Sequence, residues 1–173
     1  SFMRNGSLDM RMDSMNKTTA ADLLAKLSDK ELTAIIKEYG EERYSRSIMR
    51  AIRKAQAQGP INTTLHLSNI ISSVIRPSRS NKIHPATRTF QALRIAVNNE
   101  LEHIKIALND SLEILRASAR IMVISFHSLE DRIVKNFFRE EEKGCNCPPA
   151  IALCACGRKA RLRIVTRKPL TPA

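Results

Sequence analysis

The sequence predicts an α/β fold, predominantly helical, with a fragment of a doubly wound parallel sheet in its C-terminal half. Three observations predict it. Helix-start signals crowd residues 18–76 and leave room only for short helices. Apolar residues from Phe90 to Leu115 recur at alternating steps of three and four, the spacing of one helix face. The run Arg120-Ile121-Met122-Val123-Ile124-Ser125-Phe126 then breaks that period, and a short apolar run between helices reads as a fully buried parallel strand. Helix, buried strand, helix is a fragment of a doubly wound sheet.

Residues 1–17 show no sustained period and read as a loop or extended segment. Thr19 to Asp22 resembles a capping box, and Ser28-Asp29-Lys30-Glu31 is a full one, Ser28 capping while Glu31 reaches back. Gly40 is placed to close the second helix in the left-handed conformation. A third helix is expected from about Glu42 to Gln58, ending at Gly59-Pro60, and a fourth from about Thr63 to Ile75, ending before Pro77. These four make an all-helical unit over 18–76. Residues 76–86 read as a polar, cationic loop. Pro85 suits a helix start, and the long amphipathic stretch that follows is expected to break near Asn109-Asp110. Ser128, Glu130 and Asp131 start another helix, and Arg161 to Arg167 reads as an antiparallel edge strand. The remaining boundary places 77–173 in one C-terminal part, with a Cys-rich loop at 145–156. An open sheet edge would offer itself to a second copy of the chain, which makes a homodimer a candidate assembly.

Composition narrows the function. The 173 residues carry 29 Lys and Arg against 17 Asp and Glu, a formal charge of +12, and 43% are hydrophobic. That fraction supports a packed core, and the basic excess favours polyanions, meaning nucleic acid or an anionic membrane surface. No apolar run approaches the roughly 20 residues of a membrane-spanning helix. Ser1 to Gly6 lacks the apolar core of a signal peptide, so the expectation is a cytoplasmic protein with no membrane partner. Only five residues are glycine, and neither G-x-G-x-x-G nor a P-loop is present, which disfavours a complete nucleotide-binding enzyme.

The basic residues fall in two places. Tyr44, Ile48, Ala51, Ile52 and Ala55 have the spacing of a core face, and Arg43, Arg46, Arg50, Arg53 and Lys54 form a stripe on the remaining surface. Such a stripe serves either RNA phosphates or ordinary solvation. From Lys143 onward there is no acidic residue, and Arg158, Lys159, Arg161 and Arg163 extend the RNA-binding candidates.

Ser125-Phe126-His127-Ser128 falls where the expected strand meets the next helix, and ligands of open α/β sheets bind beyond the carboxyl ends of strands. Phe126 offers a stacking face there, and Ser125, His127 and Ser128 offer hydrogen bonds; Ser128 is equally an ordinary N-cap. His84, with Arg88 close by at the entry of the long helix, is the second candidate. No carboxylate partner for His127 can be assigned, so no catalytic triad is supported and the catalytic residues are not identified. Cys145, Cys147, Cys154 and Cys156 form C-x-C-P-P-x4-C-x-C. Two close thiolate pairs suit a structural four-sulfur zinc site, although the single-residue spacing departs from the commoner knuckle and unligated thiols fit it as well.

Several of these stretches resemble the bacterial 16S ribosomal RNA (cytosine-N4)-methyltransferase family. They are Asp9-Met10-Arg11-Met12-Asp13, Thr19-Ala20-Ala21-Asp22-Leu23-Leu24, His84 through Arg94, Val123 through Arg132, and Thr166-Arg167-Lys168-Pro169. The matches stand in the family's order and span almost the whole chain. The resemblance implies S-adenosylmethionine-dependent methylation of a cytidine N4 in the small-subunit rRNA. It also implies a Rossmann-like methyltransferase sheet interrupted by an all-helical inserted domain. The family's Gly-rich cofactor loop has no counterpart here, so the expectation is a substrate-facing C-terminal portion, inactive alone and with no cofactor-binding residue of its own. The alternative is a non-enzymatic basic RNA-binding module.

Overall fold

The computed structural model describes residues 4–75, 83–145, 147, 156–166 and 168–170. The chain divides into two compact units, 1–100 and 101–173.

The first unit holds α1 (Ala20–Lys26), α2 (Asp29–Glu38), α3 (Ser45–Gln56), α4 (Thr64–Val74) and α5 (Thr87–Asn98). Both expected capping boxes form. The Thr19 and Ser28 hydroxyls each accept from the backbone N–H three residues on, while the Asp22 and Glu31 carboxylates accept from the Thr19 and Ser28 backbone N–H groups. Each such cap stabilises its helix by about 1 kcal/mol. The helix α3 begins at Ser45, later than expected, because Glu42 is turned inward. Its carboxylate is buried and accepts from the Tyr44 N–H at 2.8 Å, an anion placed favourably at a helix N-terminus.

Helix α3 packs on α2 and α4, and α5 on α1 and α2. Leu24, Leu32, Ile36, Ile48, Ile52, Leu67, Ile71 and Leu93 are fully buried at the centre. The segment before α1 joins this unit. Leu8 is buried, its N–H donates to the Asn62 carbonyl at 2.9 Å, and the Thr64 N–H donates to the Gly6 carbonyl at 2.9 Å. Asn98, at the end of α5, holds the same segment through the Met12 N–H and the Met10 carbonyl.

Gly40 does end the region of α2, but for a different reason than expected. The left-handed residue is Glu41, at φ 48°. A Cβ on Gly40 would lie 2.6 Å from the Arg88 carbonyl oxygen and 2.7 Å from that of Ile36, so the position needs a residue without one. Tyr44, read as core, is 41% exposed and carries the Arg43 guanidinium 4.7 Å above its ring. The long amphipathic stretch breaks at Asn99 (φ 49°, ψ 36°), ten residues before the expected site. Asn tolerates this left-handed conformation better than most residues.

The helix α6 (Glu100–Ile114) leads into the second unit, which also holds α7 (Ser128–Lys143). Here the expected α/β class is overturned. The described residues contain no strand and no sheet; their one bridge is an isolated antiparallel pair, Ser7 with Thr63. Residues 120–126 form no strand, and the side chains expected to be buried are open to solvent, Met122 at 89% and Ile124 at 77%. A strand is defined by ladder hydrogen bonds to a neighbour, and no described segment supplies them to this run. Arg161 to Thr166 is likewise not a strand. It is held to α7 by the Arg161 N–H on the Glu141 carbonyl and the Ile164 N–H on the Glu142 carboxylate, and Arg167 lies outside the described residues. The sheet edge that would have paired two copies is therefore absent among the described residues. No helix among them is long and apolar enough to cross a membrane.

Candidate functional site

The N-terminal end of α7 gathers Ser125 to Ser128. Its cap is His127, not Ser128. The His127 Nδ1 accepts a long bond from the Glu130 N–H at 3.4 Å. Glu130 Oε2 accepts in return from the Phe126 N–H at 2.7 Å and the His127 N–H at 3.3 Å. With Nδ1 as acceptor, the neutral ring carries its proton on Nε2. That nitrogen is buried 3.3 Å from Glu130 Oε1, yet makes no hydrogen bond there. His127 is thus turned inward and holds the turn. Phe126 is turned outward, 89% exposed, with Ser125 and Ser128 exposed on either side. The signal missed in the sequence was Glu130 standing three residues after a histidine, a capping-box spacing with an uncommon cap residue.

His84 and Arg88 belong to the first unit and Ser125–Ser128 to the second. Within its own unit, His84 starts α5. Its Nδ1 accepts from the Ala86 N–H at 3.1 Å and its carbonyl from the Thr87 N–H at 3.0 Å. Arg88 reaches the Glu41 carbonyl at 3.3 Å.

The α3 stripe separates into two kinds of cation. Arg53 is engaged: it donates to Asp29 at 2.7 Å, to the Leu24 carbonyl and Gln56, and closely to the Leu27 carbonyl. It ties the α1–α2 corner to α3. Arg43, Arg46, Arg50 and Lys54 are exposed and make no ion pair among the described residues. A row of solvent-facing guanidinium and ammonium groups beside an exposed tyrosine has the chemistry of a phosphate-tracking surface.

The C-terminal cations also separate. Glu141 is buried on the last turn of α7. It accepts from Arg161 Nε at 2.6 Å and from Arg158 Nη2 at 3.1 Å, and Arg161 Nη1 also reaches Glu113 at 3.0 Å. The hydrogen bond from Arg161, more than any other contact, holds the Glu141 carboxyl below the usual carboxylate range, and raises the Arg161 guanidinium in turn. Lys159 and Arg163 are exposed. Cys145 and Cys156 come together with their sulfurs 3.7 Å apart, and Cys147 Sγ lies within 4.8 Å of both. Cys154 lies outside the described residues.

Gly6, Gly40, Gly59, Gly144 and Gly157 are scattered, and the two crowded ones, Gly40 and Gly144, face the chain's own backbone. A cofactor loop needs clustered glycines facing a ligand.

The family model for the MraW methylase family matches residues 1–173. Proteins called ribosomal RNA small subunit methyltransferase H are similar throughout. That of Caldicellulosiruptor saccharolyticus is 52% identical over 172 residues, covering 99% of this chain and 56% of that protein. That of Caldicellulosiruptor bescii is 51% identical over 173 residues, covering 100% and 56%. That of Geobacter sulfurreducens is 53% identical over 171 residues, covering 98% and 55%. The chain therefore spans little more than half the length of these relatives. A match that runs its full length, at about half of all positions, carries one conclusion: the chain belongs to the MraW methylase family.

Proposed function

We propose that these residues are the RNA-facing portion of an S-adenosylmethionine-dependent methyltransferase that modifies a cytidine N4 in small-subunit rRNA, in the cytoplasm. The observation that carries this reading is the full-length similarity to methyltransferases named for small-subunit rRNA. The exposed Phe126 between two exposed serines supports the base-facing part of it. Cytosine N4 is a poor nucleophile because its lone pair conjugates with the ring, so a site must position it in line and exclude other geometries. Reaching it in folded RNA requires a base splayed from its stack. In this reading Phe126 stacks on that base, Ser125 and Ser128 meet its edge, and His127 keeps the turn in place. His84 and Arg88, at the start of α5 in the first unit, are substrate-facing candidates in their own right.

Arg43, Arg46, Arg50 and Lys54, with Lys159 and Arg163, meet phosphates. Arg53, Arg158 and Arg161 position the chain around them. Residues 18–76 act as a helical domain and 77–173 as the continuation of the catalytic one. Methyl transfer itself is assigned to no residue described here. Zinc, if held by the cysteines, would serve structure and not the reaction.

The test is methyl transfer from isotope-labelled cofactor by the full-length protein to small-subunit rRNA or particles, with the modified nucleoside identified by mass spectrometry. Label in N4-methylcytidine is expected. Label in another nucleoside overturns the reading. RNA binding without any transfer favours the second reading, a non-enzymatic RNA-binding module, which the exposed cations Arg43, Arg46, Arg50 and Lys54 support.

A further inference from the structure

We infer that Cys145, Cys147 and Cys156 hold a structural zinc ion at the joint between α7 and the returning C-terminal segment. This goes beyond the methyltransferase reading and does not depend on it.

The joint is built before any metal enters. Gly144 ends α7 at φ +69°, and a Cβ there would lie 2.5 Å from the Ala160 nitrogen, so the returning chain presses directly on the helix end. Glu141 clasps that return through Arg158 and Arg161, and the Arg161 N–H donates to the Glu141 carbonyl at 3.0 Å. Gly157, at φ +63°, turns the chain immediately after Cys156. Each of the two distant cysteines thus adjoins a left-handed glycine, and the clasp holds both arms of the loop in register.

The sulfur geometry then discriminates between fates. The Cys145 and Cys156 Sγ atoms are 3.7 Å apart. A disulfide requires about 2.0 Å. In a tetrahedral zinc site with zinc–sulfur bonds of about 2.3 Å, neighbouring sulfurs stand about 3.8 Å apart. Cys147 Sγ lies within 4.8 Å of the other two, so one ion can reach three thiolates with a small closing movement. Soft thiolates select zinc over magnesium or calcium, and the fourth vertex is open to a further thiolate or water. Binding converts each ligating thiol to a thiolate and releases one proton per sulfur. An S–H···S hydrogen bond gives the same sulfur separation, and metal content separates the two.

The full-length protein, purified from zinc-supplemented culture without chelator, is expected to contain about one zinc per chain by elemental analysis. Cobalt(II) added to chelator-treated wild-type protein should give the intense visible bands of tetrahedral thiolate coordination, a measurement that needs no variant. Alkylation of Cys145, Cys147 and Cys156 should accelerate when chelator is added. Cys145→Ser and Cys156→Ser should each lose the zinc while helical circular dichroism persists. Protein without metal, whose thiols react equally fast with and without chelator, overturns the proposal. So does iron or copper in place of zinc, or full zinc occupancy in both variants.

Discussion

Glu141 and Arg161 meet twice: Arg161 Nε donates to Glu141 Oε2 at 2.6 Å, and the Arg161 backbone N–H donates to the Glu141 carbonyl at 3.0 Å. One residue of α7 thereby fixes both the side chain and the backbone of a segment that forms no strand among the described residues. The carboxylate is buried, whereas its arginine partners stay half-open to solvent. That asymmetry makes Glu141 the sensitive member, because removing either cation leaves an underpaired buried charge.

The first prediction concerns pH. The Glu141 carboxyl titrates below its ordinary value of 4.5 in the folded chain, chiefly through the hydrogen bond from Arg161. A depressed folded value means stabilisation that is fully present above the unfolded value and lost as pH falls through the folded one. The charged groups around it are Arg158, Arg161 and, beyond Arg161, Glu113. Hydrogen-exchange protection of the Arg161 amide, which donates to the Glu141 carbonyl, should therefore hold near neutrality and fall below about pH 4.5. Glu141→Gln should lower protection at neutral pH and flatten its dependence in the acid range, with chelator present in both arms. Equal acid sensitivity in wild type and variant would assign the effect elsewhere.

The second prediction isolates a packing constraint. Gly40→Ala places a methyl 2.6 Å from the Arg88 carbonyl oxygen and 2.7 Å from the Ile36 carbonyl oxygen, both backbone atoms that cannot rotate away. Overpacking of this kind costs about 1–3 kcal/mol. Gly59→Ala meets no atom within 4 Å, but its φ of +153° is itself unfavourable for alanine. Gly6→Ala, with open space and no positive φ, is the clean control. Denaturant unfolding monitored by helical circular dichroism should rank Gly40→Ala well below Gly6→Ala. Similar stability for the two would mean that α2 and α5 part easily.

How much of this was legible in the sequence differs by residue. Caps are local, so Thr19 with Asp22 and Ser28 with Glu31 announced two helices correctly from four-residue windows. The Ile121–Phe126 run was not legible in the same sense, because strand formation depends on a neighbour and an apolar run names none. Glu141 carried no signal at all. It sits among three consecutive glutamates, and only the fold decides which one turns inward toward Arg158 and Arg161. Arg53 shows the same limit. Its helical angle places it in the basic stripe, but the α1–α2 corner claims its guanidinium.

The third prediction uses that division of labour. Arg46→Glu with Arg50→Glu should weaken binding to small-subunit rRNA fragments and to unrelated RNA alike, without loss of stability. It should also reduce the magnitude of the salt slope by roughly 0.7–0.9 per lost phosphate contact. Arg53→Met should do the reverse. It takes the side-chain donor from the Leu27 carbonyl, leaves the Leu24 carbonyl with Gln56 alone, and should destabilise the helical unit by about 1–3 kcal/mol, with little change in the salt slope. Filter binding across a salt series and thermal unfolding separate the two. Destabilisation by the double reversal, or a changed slope in Arg53→Met, would erase the distinction.

The fourth prediction concerns Phe126. A phenylalanine that is 89% exposed contributes little to folding, so Phe126→Ala should leave unfolding unchanged. Base–aromatic stacking is worth about 1–3 kcal/mol, which corresponds to roughly a 5- to 150-fold loss in affinity for single-stranded RNA. The loss should appear at high salt as well as low, because stacking releases no counterions, and this separates it from the effect of reversing Arg46 and Arg50. Phe126→Tyr should retain most of the binding, since it keeps the ring. Phe126→Leu keeps apolar bulk without a π-face and should resemble alanine. Glu130→Gln offers a second check on the same site. Its side chain still has an oxygen to accept from the Phe126 N–H, so it should keep the turn and the stacking. Glu130→Ala releases that N–H and should loosen the presentation of Phe126. If leucine binds RNA as well as tyrosine does, the exposed ring is not a stacking platform, and the base-facing role proposed for the α7 N-terminus loses its support.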